Sequence, residues 1–281
     1  FEKIIKLKFF YIFFIKITSF KSEFLKITIL CFNIILFLLS FMGIICSILW
    51  GFSENWYFPN FFPNDLNIEN FLNFYYQNKS LILISIFIPL MVSLLSISLI
   101  ILWVELLDYL NITKTQFEWI IFTPLFIPQI SFLIGIQSFI IFFNFSSFLI
   151  PLIFVQLFYV IPYCFIILAP AMREVKTDYI KVASSLGKNR IVRLFKIKIP
   201  LVLPSLMTSF AIGMIVSFAL YVPVYFIGAG RVTTLTVEAL NLALSGSKED
   251  LGIATFFQIL FPTLLLFTVA FINRKTVKWQ I

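Results

Sequence analysis

Few residues in this 281-residue chain carry side chains suited to covalent or acid–base chemistry. Histidine is absent, which removes every His-based nucleophile, proton relay and metal site. Cys31, Cys46 and Cys164 all fall inside apolar runs, without metal-type spacing or a disulfide framework. No glycine-rich loop with a Lys-Ser/Thr pair is present to cradle a nucleotide's phosphates. What is ordered is the basic charge. Of 21 Lys and Arg residues, eight (Arg173, Lys176, Lys181, Lys188, Arg190, Arg193, Lys196 and Lys198) crowd between two long apolar runs. Charges so grouped bind and position; they do not make bonds. A second set is uncharged or sparse. Gln129 and Gln137 stand inside an apolar run, where an amide needs a partner, so they line a path or bind helix to helix. Tyr221, Arg231 and Glu238 lie near the end of another run and are candidates for a path or an outer gate. Tyr221 fits an interfacial tyrosine equally well, and the loop of Arg231 and Glu238 fits an ordinary solvated loop.

The elements that must position these groups are membrane spans. The chain is 61% hydrophobic with a mean hydropathy of +1.04, whereas soluble domains run at about 45–50% apolar. The 38 phenylalanines, with abundant Ile, Lys and Asn, share A/T-rich codons and carry no functional message. A crossing helix needs about 20 apolar residues. On that measure the sequence predicts an all-α integral membrane protein with six spans, at 27–50, 81–103, 119–143, 148–169, 201–227 and 252–272. Residues 51–80 read as a solvent-side loop, 104–118 as a short polar link and 144–147 as a tight turn. Pro124 and Pro128 interrupt the third span. Residues 1–26 form a basic, apolar N-terminal segment whose run Phe9–Ile15 is too short to cross, leaving residues 27–281 as the six-span domain.

Charge orients the spans. With the N-terminus inside, the cytoplasmic segments hold six basic residues at the start, Lys114 in the link, the eight of the 171–200 loop, and three in the tail. Only Lys79, Arg231 and Lys248 fall outside. That asymmetry places both termini and the basic loop in the cytoplasm. The net charge of +8 therefore meets anionic lipid at the membrane boundary and does not imply nucleic acid.

The basic loop has internal order. Tyr179, Ile180, Ala183 and Leu186 repeat at helical spacing up to Gly187, and Ile191, Leu194, Phe195 and Ile199 repeat after it. Pro200 then opens the next apolar run, a place where proline suits a first helical turn. The spacing predicts helix, glycine bend, amphipathic helix, proline and span. This stretch resembles the coupling motif of ABC importer permeases: Glu-Ala-Ala, three residues, Gly, nine residues, Ile, one residue, Leu-Pro. Lys181, Val182, Ala183, Gly187, Ile197, Ile199 and Pro200 occupy those positions at the same spacing. Lys181 stands where the family has Glu, and Val182 where it has Ala.

The resemblance extends over roughly residues 80–272 and implies the type I importer permease fold. The segments PLFIPQISFLIGIQ (124–137) and YVPVYFIGAGRVTTLTVEAL (221–240) are similar to a branch grouped with iron, polyamine and thiamine permeases. Relatives of that branch can be fused pairs of six-span halves, and the lysine-rich start suits the second half of such a pair. The resemblance implies a bacterial inner-membrane transport subunit and not an enzyme. Its partners would be an ABC ATPase pair, a second permease half and an extracytoplasmic substrate-binding protein. No cofactor would be bound by the chain itself, ATP being used by the partner. Lys181, Ala183, Ser184, Gly187, Ile197, Ile199 and Pro200 would couple to the ATPase. Two alternatives remain on the residues alone. An ion-driven carrier would place ionisable groups inside its spans, and the predicted spans hold essentially none. A non-transporting scaffold would have no need of the Gly187 spacing.

Overall fold

The computed structural model describes residues 23–54, 56, 60, 62–63, 65–110, 112, 118–143, 148–175 and 177–277. The first part of the N-terminal segment, the core of the 104–118 link, the 144–147 turn and the end of the tail lie outside the described residues. Two compact units are present, Phe1–Leu49 and Trp50–Ile281. Helix α1 (Glu23–Phe52) supplies the described part of the first unit and reaches into the second, and it is free of charge from Thr28 onward.

The second unit is helical. After a two-residue antiparallel pairing of β1 (Ser53–Glu54) with β2 (Asp65–Leu66) come α2 (Glu69–Gln77) and α3 (Lys79–Tyr109). A 3-10 helix (Glu118–Leu125) leads to α4 (Gln129–Phe142), and α5 (Leu149–Arg173) follows. Then come α6 (Thr177–Ser185), α7 (Arg190–Leu201), α8 (Leu203–Ala219), α9 (Tyr221–Gly228), α10 (Leu235–Ser245) and α11 (Lys248–Val277). Among the described residues four helices are each long and apolar enough to cross a bilayer: Thr28–Phe52, Lys79–Tyr109, Leu149–Arg173 and Lys248–Arg274. The remaining two expected spans are broken. The 3-10 helix meets α4 at 96°, and α7 meets α8 at 78°. With the 3-10 helix and α4 taken as one span and α8, which α7 leads into at the bend, as another, the count reaches the six spans of the expected all-α membrane fold.

Several boundaries need correction. The third span is not one kinked helix: Phe126–Pro128 turns the chain, because Pro124 and Pro128 lack amide donors and α4 restarts at Gln129. The fifth span breaks at Leu220, ahead of Pro223. Residues 51–80 are not wholly loop, since α2 forms there with Phe74 buried. Finally, α3 continues through residues 104–109, so Glu105 and Asp108 are helical and not part of a link.

The core is built where α3, α5 and α8 pack on one another. Ile88, Val92 and Ile100 of α3 meet Leu152, Val155, Val160 and Leu168 of α5 there, with Leu133 of α4. Lipid removes most of the hydrophobic drive for helix association, so contact depends on close approach of backbones. Helix α8 accordingly presents small buried residues, Ser209, Ala211, Gly213 and Ser217. Ser209 Oγ donates to the Cys164 carbonyl at 3.2 Å, and Cys164 Sγ donates back to the Ser209 carbonyl at 3.4 Å. A second cluster joins Phe74, Leu81 and Ile82 to Leu235, Ala239, Ile253 and Ala254.

Candidate functional site

The basic loop folds as helix, glycine bend and second helix, as its spacing predicts, but Pro200 lies in the last turn of α7 and the next helix starts at Leu203 and not at Pro200. Helix α6 ends in a closed glycine cap: the Gly187 N–H donates to Ser184 O at 3.0 Å and the Lys188 N–H to Ala183 O at 3.1 Å. This double closure requires a left-handed residue after the helix, and Gly187 has φ +71°. A Cβ at Gly187 would meet no atom within 4 Å, so backbone conformation and not space demands the glycine. Asn189 then caps α7, its Oδ1 accepting from the Val192 N–H at 3.0 Å. Arg193 Nη1 donates to Ser184 Oγ, tying the two helices across the bend.

The expected coupling residues divide by exposure. Ala183 is buried, Ile197 and Ile199 are half-buried, and Ser184, Gly187 and Pro200 are exposed. The backbone of Lys181 lies in α6, but its side chain is outside the described residues. The one face expected from Tyr179 to Leu186 is in fact split: Ala183 points inward, while Tyr179, Val182 and Leu186 are exposed. Ile191 and Phe195 of α7 are exposed as well. The element thus displays apolar side chains away from the helices it is attached to.

The attachment is ionic. Lys198 lies in a π turn, Leu194–Lys198, inside α7, and only 5% of it is exposed. Its Nζ reaches Glu105 Oε1 at 2.5 Å and Asp108 Oδ2 at 2.6 Å. Arg190 Nε reaches Glu105 Oε2 at 3.3 Å, Arg190 Nη2 donates to the Glu105 carbonyl, and its guanidinium lies 4.9 Å from the Tyr109 ring centroid. Glu105 and Asp108 are three residues apart and therefore share a face of α3. Removing one partner of a buried ion pair typically costs about 3–5 kcal/mol, because the other charge is left uncompensated. These four residues line a cavity of about 730 Å³ with Met172, Arg173, Ser184 and Arg193. Arg173 closes another side through a two-point bond to Glu118 at 3.1 and 2.5 Å.

The opposite end of α3 holds a different tie. The Leu235 N–H donates to Ser85 Oγ at 2.7 Å, and Gln258 Nε2 donates to Leu235 O at 2.7 Å. Ser85 thereby satisfies one of the amides that a helix start leaves open. From Ser85 to Glu105 the α3 axis advances about 30 Å at helical rise, the thickness of a bilayer's hydrocarbon layer. The basic loop and the 228–250 segment therefore sit at opposite ends of one membrane-length helix.

The expected path residues are not gathered into one site. Gln129 opens α4 just after the 96° turn, and Gln137 lies further along the same helix, both half-buried. Tyr221 starts α9 and is 46% exposed. Arg231 sits 4.3 Å from the Phe148 ring centroid, while Glu238 is in the first turn of α10. Arg231 and Glu238 are not an ion pair; among the described residues ion pairs join Arg173 to Glu118, Arg190 to Glu105, and Lys198 to Glu105 and Asp108. The buried amide that the sequence reading passed over is Gln156, 1% exposed, which accepts from Ser217 Oγ at 2.5 Å. Its signal was the same as that of Gln129 and Gln137, a lone amide in an apolar run.

Comparison with known proteins agrees with this architecture. Residues 79–277 match the family model described as "Binding-protein-dependent transport system inner membrane component". The chain is similar to the inner membrane ABC transporter permease protein YnjC of Escherichia coli (strain K12), at 27% identity over 197 residues. That match takes in 70% of this chain and 37% of the relative, so the chain spans well under half the length of the curated protein it matches.

Proposed function

The chain belongs to the family of binding-protein-dependent transport system inner membrane components, and from that premise we propose that it is the permease subunit of an ATP-driven solute importer. It forms part of the translocation path and docks a separate ABC ATPase through residues 176–200. A single observation carries the docking: α6 and α7 are held rigid by the Gly187 cap and the ion pairs on α3, yet turn Tyr179, Val182, Leu186, Ile191 and Phe195 outward. A rigid element with an apolar outer face fits a protein partner better than a solvated connector does. The partners are an ATPase pair, a second permease half, an external substrate-binding protein and the surrounding lipid. ATP is bound by the ATPase and no cofactor by this chain.

In this mechanism the ATPases close on ATP and carry the docked helices with them, and the spans rock between inward-open and outward-open states. The sequence charge asymmetry, with the basic loop and the 228–250 segment at opposite ends of α3, supports cytoplasmic termini and an outward-facing Arg231–Glu238 segment. Gln129, Gln137 and Tyr221 are path candidates on the broken spans.

The test is co-purification in mild detergent of the tagged chain with an ATPase encoded beside it. Wild type should retain the ATPase. Gly187→Val, which forces a β-branched residue into a left-handed conformation, should lose it, while Gly187→Asn should keep it, because asparagine tolerates that region. A stably folded wild-type chain that never binds an ATPase would sink the proposal.

A further inference from the structure

Resting on the docking role of α6 and α7, we infer that Glu105 and Asp108 form a charge clamp on Lys198 and Arg190, which makes the docking element and the loop-side end of α3 one moving body. The covalent route from α7 into the bundle is a poor lever. It passes through Val202, where α7 meets α8 at 78°. A motion imposed on α6 and α7 would dissipate at such a joint. The clamp supplies a second route. It grips α7 at two places eight residues apart, Arg190 and Lys198, and both converge on Glu105. Two attachment points resist rotation, which a single ion pair would allow. Asp108 adds a third bond and Tyr109 stacks on Arg190. The Arg193–Ser184 bond extends the rigid body to α6.

The chemistry suits a permanent latch. Two carboxylates face two cations, so the group is balanced in charge. Lys198 is nearly fully buried and flanked by Ile197 and Ile199, whose positions are those of the coupling motif. A buried ammonium held by two carboxylates is costly to pull apart, so motion is passed on and not absorbed. Lys198 and Arg190 are thus positioning residues: they act through α3, which packs on α5 and α8.

The test reads rigidity directly. The chain is purified with its bound ATPase in lipid nanodiscs, with Cys31→Ser and Cys46→Ser, and with spin labels at Lys188→Cys on the docking element and Leu110→Cys at the end of α3. Distances are measured by pulsed electron resonance without nucleotide and after trapping with ATP and vanadate. In the wild-type background the distance should be unchanged between the two states. In Lys198→Met it should shift or broaden beyond its resting width on trapping, with the ATPase still bound. The triple variant Glu105→Gln/Asp108→Asn/Lys198→Met leaves no buried lysine or carboxylate charge unpaired, and serves if the single variant fails to fold; it should behave alike. A wild-type distance that changes on trapping overturns the clamp, and so does a neutralised variant whose distance stays fixed. Absence of the ATPase from wild type removes the docking reading and the clamp's role with it, whereas those two results with the ATPase bound remove the clamp alone.

Discussion

Gly213 lies where α8 comes close to both α5 and α3, and Gly213→Ala is a direct test of that packing. A Cβ there would sit 2.8 Å from Cys164 Sγ and 3.2 Å from Ser93 Cβ. Ordinary contact starts near 3.4 Å, so the first distance falls short by about 0.6 Å. Neither neighbour can swing away cheaply. Ser93 Cβ is fixed by its own backbone, and Cys164 Sγ is buried and bonded to the Ser209 carbonyl. The helices must part instead, at a cost of about 1–3 kcal/mol for an overpacked core. Against this stands the gain from replacing a mid-helix glycine, about 0.5–1 kcal/mol, so the net change should be destabilising. Two further variants isolate the cause. At Gly135 in α4 a Cβ meets nothing within 4 Å, so Gly135→Ala should be neutral or stabilising. Cys164→Ala removes the nearer obstacle, so Cys164→Ala/Gly213→Ala should cost less than the sum of its parts, by about 1 kcal/mol. Unfolding by sodium dodecyl sulfate titration in mixed micelles, followed by tryptophan fluorescence, gives all four values. Equal stability of the Gly213 and Gly135 variants, or strict additivity of the double variant, would refute the close-approach argument.

Two other outcomes follow from buried groups. Gln156→Leu strands the Ser217 hydroxyl and should cost about 1–3 kcal/mol, whereas Gln156→Leu/Ser217→Ala removes both partners and should recover part of that loss in the same titration. Cys164 is buried while Cys31 is exposed, so in a Cys31→Ser/Cys46→Ser chain a membrane-permeant maleimide should leave Cys164 unlabelled until detergent unfolds the protein; rapid labelling in the native state would contradict the α5–α8 packing.

What the sequence revealed, and what it concealed, follows from the range of the interactions. The α6–Gly187–α7 element was legible because its determinants are local. Helical spacing before Gly187 and a residue type that tolerates positive φ lie within a dozen residues, and the structure adds Asn189 as a cap in the same stretch. The apolar spans were legible by length. The broken spans were not, although Pro124, Pro128 and Pro223 were evident. A proline removes a donor, but the chain's turn depends on what the freed groups meet across the fold; Pro89 and Pro162 lie inside helices that continue through them. The end of α3 was misplaced for a related reason. Glu105 and Asp108 read as a polar link because charge at the end of an apolar run normally marks the membrane boundary. Their stabilising partners, Arg190 and Lys198, lie more than eighty residues away in sequence. Gln156 was missed beside Gln129 and Gln137 for want of its partner Ser217, sixty-one residues on.

The two ties on α3 differ in kind, and the difference bears on how the molecule works. At the Ser85 end the bonds are neutral: a buried hydroxyl and an amide hold the start of α10, and a neutral bond contributes about 1 kcal/mol net. At the Glu105 end the bonds are between charges, one of them nearly buried, and breaking them leaves a charge without compensation. A helix fastened strongly at one end and weakly at the other gives first at its weaker fastening. Under the clamp inferred above, the weaker resistance to a load on α3 is the neutral tie near Leu235 and not the ion pairs at Glu105. That weaker tie lies beside Thr234, Thr236, Gln156 and Ser217, which line a small void with Ser85. Breaking a bond among those polar groups strands no charge, whereas breaking the Lys198 pair at the other end does.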